Sequence, residues 1–70
     1  MDYDLLITFI CLAKLKSFTK AAAQLHVVQS TITSRIKHLE YHIGETLFIR
    51  TNKNVELTSA GETFLPYANS

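Results

Sequence analysis

The sequence contains few of the residues that interrupt regular structure. In 70 residues it has one proline and two glycines, whereas 47% of its residues are hydrophobic. This composition indicates one small globular domain rather than a disordered segment. Cysteine is also scarce. The single Cys11 excludes an internal disulfide, and its position in an apolar helical pattern predicts a buried, reduced thiol.

Long apolar runs are missing as well. No stretch reaches the roughly 18–20 apolar residues that a bilayer-spanning helix needs. The first residues, Met1-Asp2-Tyr3-Asp4, are acidic, whereas a signal peptide begins with positive charge. We therefore expect a cytoplasmic protein with no membrane partner.

Patterns typical of enzymes and metal proteins are absent. The sequence has no P-loop and no nucleotide-binding glycine pattern, and nothing in its spacing places Ser, His and Asp residues as a catalytic triad. His38 and His42 are four residues apart on a predicted helix, but the glutamate of a zincin motif and an obvious third ligand are missing. We therefore expect no enzymatic activity, no metal and no cofactor.

Acidic residues are missing from segment 14–39, which carries five basic ones. The flanking segments 1–13 and 40–70 each carry a charge of −2, so the net charge of the chain is only +1. A basic segment of this kind attracts polyanions locally, whatever the global balance. The alternative is a solvated basic surface without a partner, and charge alone does not decide between the two.

Apolar residues with helical periodicity predict three helices. We expect them at about residues 3–14, 18–25 and 29–43. The expected caps are Asp2 for the first helix, Ser17 or Thr19 for the start of the second, and Gly44 for the end of the third. Residues 26–28 then form a tight connection, with Val27 turned inward.

After Gly44 the pattern changes to short β-branched or aromatic runs. Residues 47–50 and 55–57 flank a polar turn, which predicts a small hairpin. A fourth helix follows, with a capping box formed by Ser59 and Glu62 or with Thr58 as the alternative cap. Pro66 lies within its pattern and predicts a slight bend or an early end. The chain stops at Ser70 in mid-pattern, so we expect this last helix to be truncated.

The third helix has an unusual outer surface. Its core stripe contains Ile32, Ile36 and Leu39, and a helical wheel places a polar face opposite that stripe. That face contains Ser30, Ser34, Lys37 and Tyr41, flanked by Thr31, Thr33 and His38. Small hydroxyl residues are mediocre helix formers, which suggests that they serve another purpose.

The start of the third helix lacks an obvious cap, because two valines precede it. If Val28 is the N-cap, the first backbone N–H groups have no side-chain partner and are free to meet water or a phosphate. The alternative is a later start with Ser30 as the cap. Stabilisation of the fold by Val28→Ser is expected only if Val28 is the cap.

Three helices followed by a hairpin, with a tight turn between the second and third, predict a winged helix-turn-helix. We expect a mainly α fold, with a winged helix-turn-helix domain at 1–57 and the start of a further helix at 58–70. A helix whose outer face is slim, hydroxyl-rich and without acids suits the major groove, because it fits between phosphates and offers donors and acceptors to base edges. The side chains expected to contact double-stranded DNA are Lys20, Gln29, Ser30, Thr31, Thr33, Ser34, Lys37, Arg50 and Lys53.

Several of these assignments have alternatives. Lys53 is either a phosphate contact or an ordinary turn lysine that keeps a hairpin edge soluble. Arg50 either binds phosphate or pairs with Glu45 or Glu56. The function itself has an alternative in another class, a winged-helix module that binds protein through helix 58–70, which the near-neutral net charge leaves open.

Three ordered stretches carry a resemblance to a known family. They are SFTKAAAQLHVVQSTITSRIKHLE (17–40), GETLFIRT (44–51) and LTSAGETFLPYA (57–68). Together they resemble the amino-terminal DNA-binding domain of LysR-type transcriptional regulators, over almost the whole chain.

The resemblance implies a prokaryotic transcription factor that binds promoter or operator DNA as a dimer or tetramer. By position it implies base contacts from Gln29, Ser30 and Thr33, and a wing that includes Arg50 and Lys53. It also implies that the last helix is a dimerisation linker, for which we expect contributions from Phe64, Leu65 and Ala68. In the family this linker leads to a larger domain that binds a small-molecule effector, and that domain is absent from this sequence.

The sequence departs from the family pattern within the third helix. Val28 occupies a position where the family usually has a Ser or Thr cap. Ser34 stands where the family often has Arg, and Thr33 where it often has Ser. Loss of that arginine removes a strong guanine contact, so we expect a different sequence preference. Arg35 is a partial replacement, although the wheel places it toward the core edge.

Overall fold

The structure is a computed structural model that describes residues 2–51 and 54–69. Within these residues, three helices precede a two-stranded antiparallel hairpin and a fourth helix. The elements are α1 (Tyr3–Leu15), α2 (Phe18–Leu25), α3 (Gln29–Ile43), β1 (Phe48–Arg50), β2 (Val55–Leu57) and α4 (Ser59–Ala68). The predicted mainly α winged helix-turn-helix is confirmed, and α1 ends one residue later than expected.

The first two helices are capped as predicted. The Asp2 carboxylate accepts a hydrogen bond from the Asp4 N–H at 3.2 Å, and the Ser17 hydroxyl accepts one from the Lys20 N–H at 3.1 Å. Ser17, rather than Thr19, is therefore the cap of α2. These bonds satisfy donors that the first turn of a helix leaves free, and so they mark where each helix begins.

The cap of α4 is Thr58, so the capping box formed by Ser59 and Glu62 is wrong and the alternative is correct. The Thr58 hydroxyl accepts a hydrogen bond from the Gly61 N–H at 3.0 Å. The same hydroxyl donates to the Thr46 carbonyl oxygen at 2.6 Å. This second bond crosses from the loop before β1, and it holds Thr58 in the capping position.

The end of α4 also differs from one of the two expectations for Pro66. The helix includes Pro66 and continues to Ala68, so an early end at the proline is wrong.

The turn between α2 and α3 is as tight as predicted. α2 ends at Leu25, and its C-cap residue His26 adopts the left-handed backbone conformation at φ 58°. The Val27 N–H then donates to the Ala22 carbonyl oxygen at 3.0 Å, and its half-buried side chain packs against the core. This turn determines where α3 begins relative to α2.

Phe9 of α1 lies at the centre of the core and is fully buried. Its ring centroid is 5.3 Å from that of Phe48 on β1 and 5.2 Å from that of Phe64 on α4. One aromatic side chain therefore joins the helical bundle, the hairpin and the last helix. The buried apolar residues around it are Leu5, Leu12, Ala21, Ala22, Ile32, Ile36, Leu39, Leu47 and Val55.

Cys11 belongs to the same core and is buried, as predicted. Burial raises the pKa of its thiol above the ordinary value, and the nearby Lys14 charge only partly opposes this effect. The thiol is therefore protonated at neutral pH. None of the described helices is long and apolar enough to cross a membrane.

Candidate nucleic-acid interface

The outer face of α3 is exposed, as the helical wheel predicted. Its side chains Ser30, Ser34, Lys37 and Tyr41 are all exposed, and Tyr41 is 84% exposed. The opposite stripe is buried, with Ile32 and Leu39 fully inaccessible and Ile36 nearly so. The apolar stripe therefore holds the helix against the core while the polar face remains open to a partner.

The outer face of α3 is flanked by two half-buried threonines, Thr31 on one edge and Thr33 on the other. Arg35 is also half-buried and donates to the Thr8 hydroxyl at 3.3 Å, while that hydroxyl donates to the Asp4 carbonyl oxygen at 2.7 Å. Arg35 thus lies at the core edge, and its bond helps to satisfy a fully buried threonine. This is the core-edge position that the helical wheel predicted for Arg35.

Val28 is the N-cap of α3, so the later start at Ser30 is wrong. Its backbone is extended, with φ −81° and ψ 159°, and it makes no side-chain capping bond. The valine side chain is 66% exposed. The Val28 side chain therefore satisfies none of the backbone N–H donors in the first turn of α3. The Val28 carbonyl oxygen accepts one of them, from Thr31, at 3.0 Å.

A cleft separates α3 from the hairpin. We call this the α3–wing cleft; its lining comprises Phe18, Thr33, Ile36, Lys37, Glu40, Phe48 and Arg50. Three of the predicted DNA contacts, Thr33, Lys37 and Arg50, therefore share one concave surface. The cations come from different elements, since Lys37 belongs to α3 and Arg50 to β1.

Arg50 lies over an aromatic ring. Its guanidinium carbon is 3.8 Å from the centroid of Phe18 at the start of α2, which is the distance of a cation–π contact. The predicted pairing with Glu56 is wrong, because Glu56 pairs with Ile49 in the hairpin and points to the opposite face from Arg50. The contact that orients Arg50 is thus aromatic, and Glu45 does not provide it either.

Gln29, the first residue of α3, lines a second cleft together with Arg50 and residues of the α1–α2 connection. Its amide nitrogen donates to the Thr19 hydroxyl of α2 at 3.1 Å. Both side chains are exposed. The hydrogen bond therefore ties the first side chain of α3 to the neighbouring helix.

The remaining predicted contacts are more dispersed. Lys20 is exposed on α2, and Ser30, Thr31 and Ser34 line neither of these two clefts. Lys53 lies outside the described residues. The structure thus brings Gln29, Thr33, Lys37 and Arg50 around the wing and places the other described residues on α3 or α2 beside them.

Comparison with known proteins identifies the family of the chain. The family described as bacterial regulatory helix-turn-helix protein, lysR family, matches residues 3–62. The chain belongs to the LysR family.

Relatives of this LysR-family chain include the HTH-type transcriptional regulator HdfR of Escherichia coli, which is 43% identical over 70 residues. That match covers all of the present chain and 25% of HdfR, so the chain spans about a quarter of this relative.

Two solved structures are similar along nearly the whole LysR-family chain. A CbnR_DBD–DNA complex is 38% identical, with a TM-score of 0.93, over 99% of this chain and 79% of that one. A complex of BenM_DBD with benA site 1 DNA is 33% identical, with a TM-score of 0.92, over 99% of this chain and 78% of that one.

Sequence reasoning missed three side chains of the LysR-family site. Phe18 was not among the predicted site residues, although its half-buried ring supports Arg50. Thr19 appeared only as a possible cap, although it binds Gln29. Glu40, not assigned a role, accepts hydrogen bonds from the Leu47 and Phe48 N–H groups at 2.7 and 3.4 Å. Local spacing contains no signal for such contacts between elements.

His38 and His42 of the LysR-family chain form a pair on one edge of α3. Their Nε2 atoms are 3.1 Å apart, and their ring centroids are 4.7 Å apart. Within residues 2–51 and 54–69 no group of three or more His, Cys, Asp or Glu side chains is arranged to hold a metal.

Proposed function

We propose that this chain binds double-stranded DNA in a sequence-specific manner, as the DNA-binding domain of a LysR-type transcriptional regulator. In this proposal α3 enters the major groove, and residues 48–57 form the wing. The observation that carries the proposal is the exposed, acid-free outer face of α3, with Arg50 of β1 beside it. DNA bound to CbnR_DBD and BenM_DBD, relatives with the same fold, supports it.

The outer face has the chemistry that groove binding requires. Its hydroxyl side chains are small and both donate and accept hydrogen bonds, so they fit between phosphates and reach base edges or backbone oxygens. Carboxylates would be repelled by phosphate. Glu40, the acidic residue that lines the α3–wing cleft, is half-buried, and its carboxylate accepts backbone N–H bonds.

We assign the residues two kinds of contact. Gln29, Ser30 and Thr33 read bases from the first turns of α3, where a recognition helix reaches base edges. Lys20, Arg50 and Lys53 bind phosphates on either side, which contributes affinity and position but little sequence information. Thr31, Ser34 and Lys37 contact bases or phosphates along the same helix. Lys53 is assigned from the sequence alone.

The decisive experiment is a binding titration against the promoter-proximal DNA beside the chain's own gene, with an unrelated duplex as the control. We expect Gln29→Ala and Thr33→Ala to lower affinity for the specific duplex by about tenfold or more and to leave the unrelated duplex nearly unaffected. Lys53→Ala should weaken both duplexes alike and reduce the salt dependence. Unchanged specific affinity in the first two variants would show that α3 does not read the bases.

We extend the proposal to the longer protein. Residues 1–57 are the DNA-binding unit, and 58–70 begin a linker helix through which two copies associate, so that the regulator is a homodimer or a tetramer. Phe64, Leu65 and Ala68 are proposed to contribute to this interface. All three are half-buried and pack partly against the core of their own chain, which leaves part of each side chain accessible.

In the same proposal the regulator acts in the cytoplasm, performs no catalysis, and responds to a small-molecule effector only through a carboxyl-terminal domain. These properties are proposed for the whole regulator, and the chain spans 25% of the length of HdfR.

A second function, binding of another protein, has one observation in its favour. The outer side of α4 forms an apolar cleft with the end of α3, lined mainly by Ile43, Ala60, Phe64 and Tyr67. Salt separates the two functions. DNA binding through several phosphates weakens steeply between low and moderate salt, whereas an apolar helix interface does not.

A further inference from the structure

The hydrogen bond between Gln29 and Thr19 connects the two helices of the helix-turn-helix at their exposed edge. The Gln29 Nε2 donates to the Thr19 Oγ1 at 3.1 Å, across ten positions in the chain. Thr19 lies in the first turn of α2 and is exposed, so it does not contribute to the core. Its hydroxyl therefore affects the position of the Gln29 amide and not the packing of the core.

The bond leaves a defined set of groups on the amide. A glutamine side chain has two N–H donors and one oxygen that accepts. One N–H is used by Thr19, so one N–H and the oxygen remain for a partner. This is the pattern that the major-groove edge of adenine needs, because its N7 accepts a hydrogen bond and its N6 amino group donates one.

The bond also limits the freedom of the side chain. An unrestrained glutamine loses substantial rotamer entropy when it is immobilised at an interface. Because Thr19 already restricts Gln29 in the free protein, less of this loss remains when DNA binds. The Thr19 hydroxyl thus increases affinity for DNA through Gln29, without a DNA contact of its own.

We propose that Thr19 is a positioning residue for base recognition: its hydroxyl holds the Gln29 amide so that one N–H and the oxygen face an adenine. This inference rests on the proposed function, since it requires that α3 occupies the major groove. Thr19 itself contacts neither base nor phosphate in this arrangement. It acts on specificity through Gln29 alone.

The test is a double-mutant cycle with two substitutions, Thr19→Val and Gln29→Ala. Valine removes the hydroxyl but keeps the β-branched shape, so the conformational preferences of α2 change little. Thr19→Ser is the matched control, because it keeps the hydroxyl. The probes are a duplex selected from random-sequence DNA by the wild-type chain and an unrelated duplex of equal length. Thermal unfolding of each variant confirms that it is folded.

We expect Thr19→Val to weaken binding to the selected duplex by about two- to tenfold, the range of one net hydrogen bond. Binding to the unrelated duplex should be unchanged, and Thr19→Ser should restore wild-type affinity. In the Gln29→Ala background Thr19→Val should have no further effect. Repeating the selection with Gln29→Ala should relax a preference for adenine at one position.

Three outcomes would overturn the inference while leaving DNA binding intact. The first is an equal loss of affinity for the selected duplex when Thr19→Val is made in the wild-type and in the Gln29→Ala background. That result would indicate that Thr19 contacts DNA directly. The second is no loss at all. The third is a relaxed preference for guanine rather than adenine, because guanine presents two acceptors. If Gln29→Ala leaves specific affinity unchanged, base reading by Gln29 in the proposed function fails as well, which separates the two failures.

Discussion

The Glu40 carboxylate of α3 accepts a hydrogen bond from the Leu47 N–H at 2.7 Å, immediately before β1 begins. The same oxygen lies 3.4 Å from the Phe48 nitrogen. These bonds connect the recognition helix α3 to the first strand of the wing across the loop that follows Gly44. They satisfy two N–H groups of a segment in which Leu47 is fully buried. One acidic side chain therefore helps to set the distance between helix and wing.

Replacing Glu40 tests this connection. We expect Glu40→Ala to lower the free energy of unfolding by about 1–3 kcal/mol, because it leaves a partly buried N–H without an acceptor. Glu40→Gln keeps an acceptor oxygen and should cost clearly less. Urea unfolding followed by circular dichroism measures both. Equal losses in the two variants would contradict a hydrogen-bond role for this side chain.

Gly61 offers a test of the packing between α4 and the wing. A Cβ at this position would collide with the Leu47 carbonyl oxygen and lie 2.8 Å from Leu57 Cδ2. In an exposed helix Gly→Ala stabilises by roughly 1 kcal/mol, but here overpacking opposes this gain.

We expect Gly61→Ala to destabilise the fold by about 1–3 kcal/mol, measured as a lower melting temperature. The exposed Thr63 of the same helix provides the control, since Thr63→Ala should change stability by no more than about 0.5 kcal/mol. A higher melting temperature for Gly61→Ala would show that helix propensity outweighs the close approach.

The uncapped start of α3 predicts a stabilising substitution. Val28→Ser places a hydroxyl where no side chain caps the helix, and little apolar burial is lost because Val28 is 66% exposed. The expected gain is about 1 kcal/mol in unfolding free energy. Val28→Ala, which provides no cap, should lie within about 0.5 kcal/mol of wild type. Identical melting curves for the serine and alanine variants would count against the capping explanation.

The stacking of Arg50 on Phe18 predicts a measurable coupling. We expect a double-mutant cycle with Phe18→Leu and Arg50→Ala to give an interaction energy of about 0.5–1 kcal/mol in urea unfolding, as for other exposed cation–π pairs. Arg50→Lys should lose part of this energy, because an ammonium group does not stack as a flat guanidinium does. Additive single-variant effects would mean that the ring does not hold the arginine.

Most of the helix bounds follow from local information. α1 and α2 combine a clear apolar periodicity with a polar cap directly before it, so Asp2 and Ser17 mark their starts. α3 has no such cap, yet its stripe from Ile32 to Leu39 and the left-handed Gly44 at φ 81° were sufficient to predict its range. The sequence did not identify the correct N-cap of α4, because two adjacent residues are both suitable caps. Thr58 and Ser59 are equivalent caps by sequence, and the Thr46 carbonyl, twelve residues away, decides between them.

The sequence predicted which residues form the site, but it did not predict which side chains contact each other. The wheel placed Ser30, Ser34 and Lys37 outward because exposure on a helix follows from its period alone. Arg50 and Gln29 are different, because their partners lie on α2. The crossing of α2 with α3 and with the hairpin determines whether Phe18 and Thr19 reach them, and no local pattern in the sequence specifies that crossing.

The junction at Thr58 has a mechanical consequence. The Thr58 N–H donates to the Leu47 carbonyl oxygen at 3.0 Å, its hydroxyl donates to the Thr46 carbonyl oxygen, and Gly61 lies against Leu47. The start of α4 is therefore held directly against the residues that precede β1. α4 extends about 15 Å from this junction. Movement of α4 at this junction therefore acts directly on Thr46 and Leu47, the residues that precede β1.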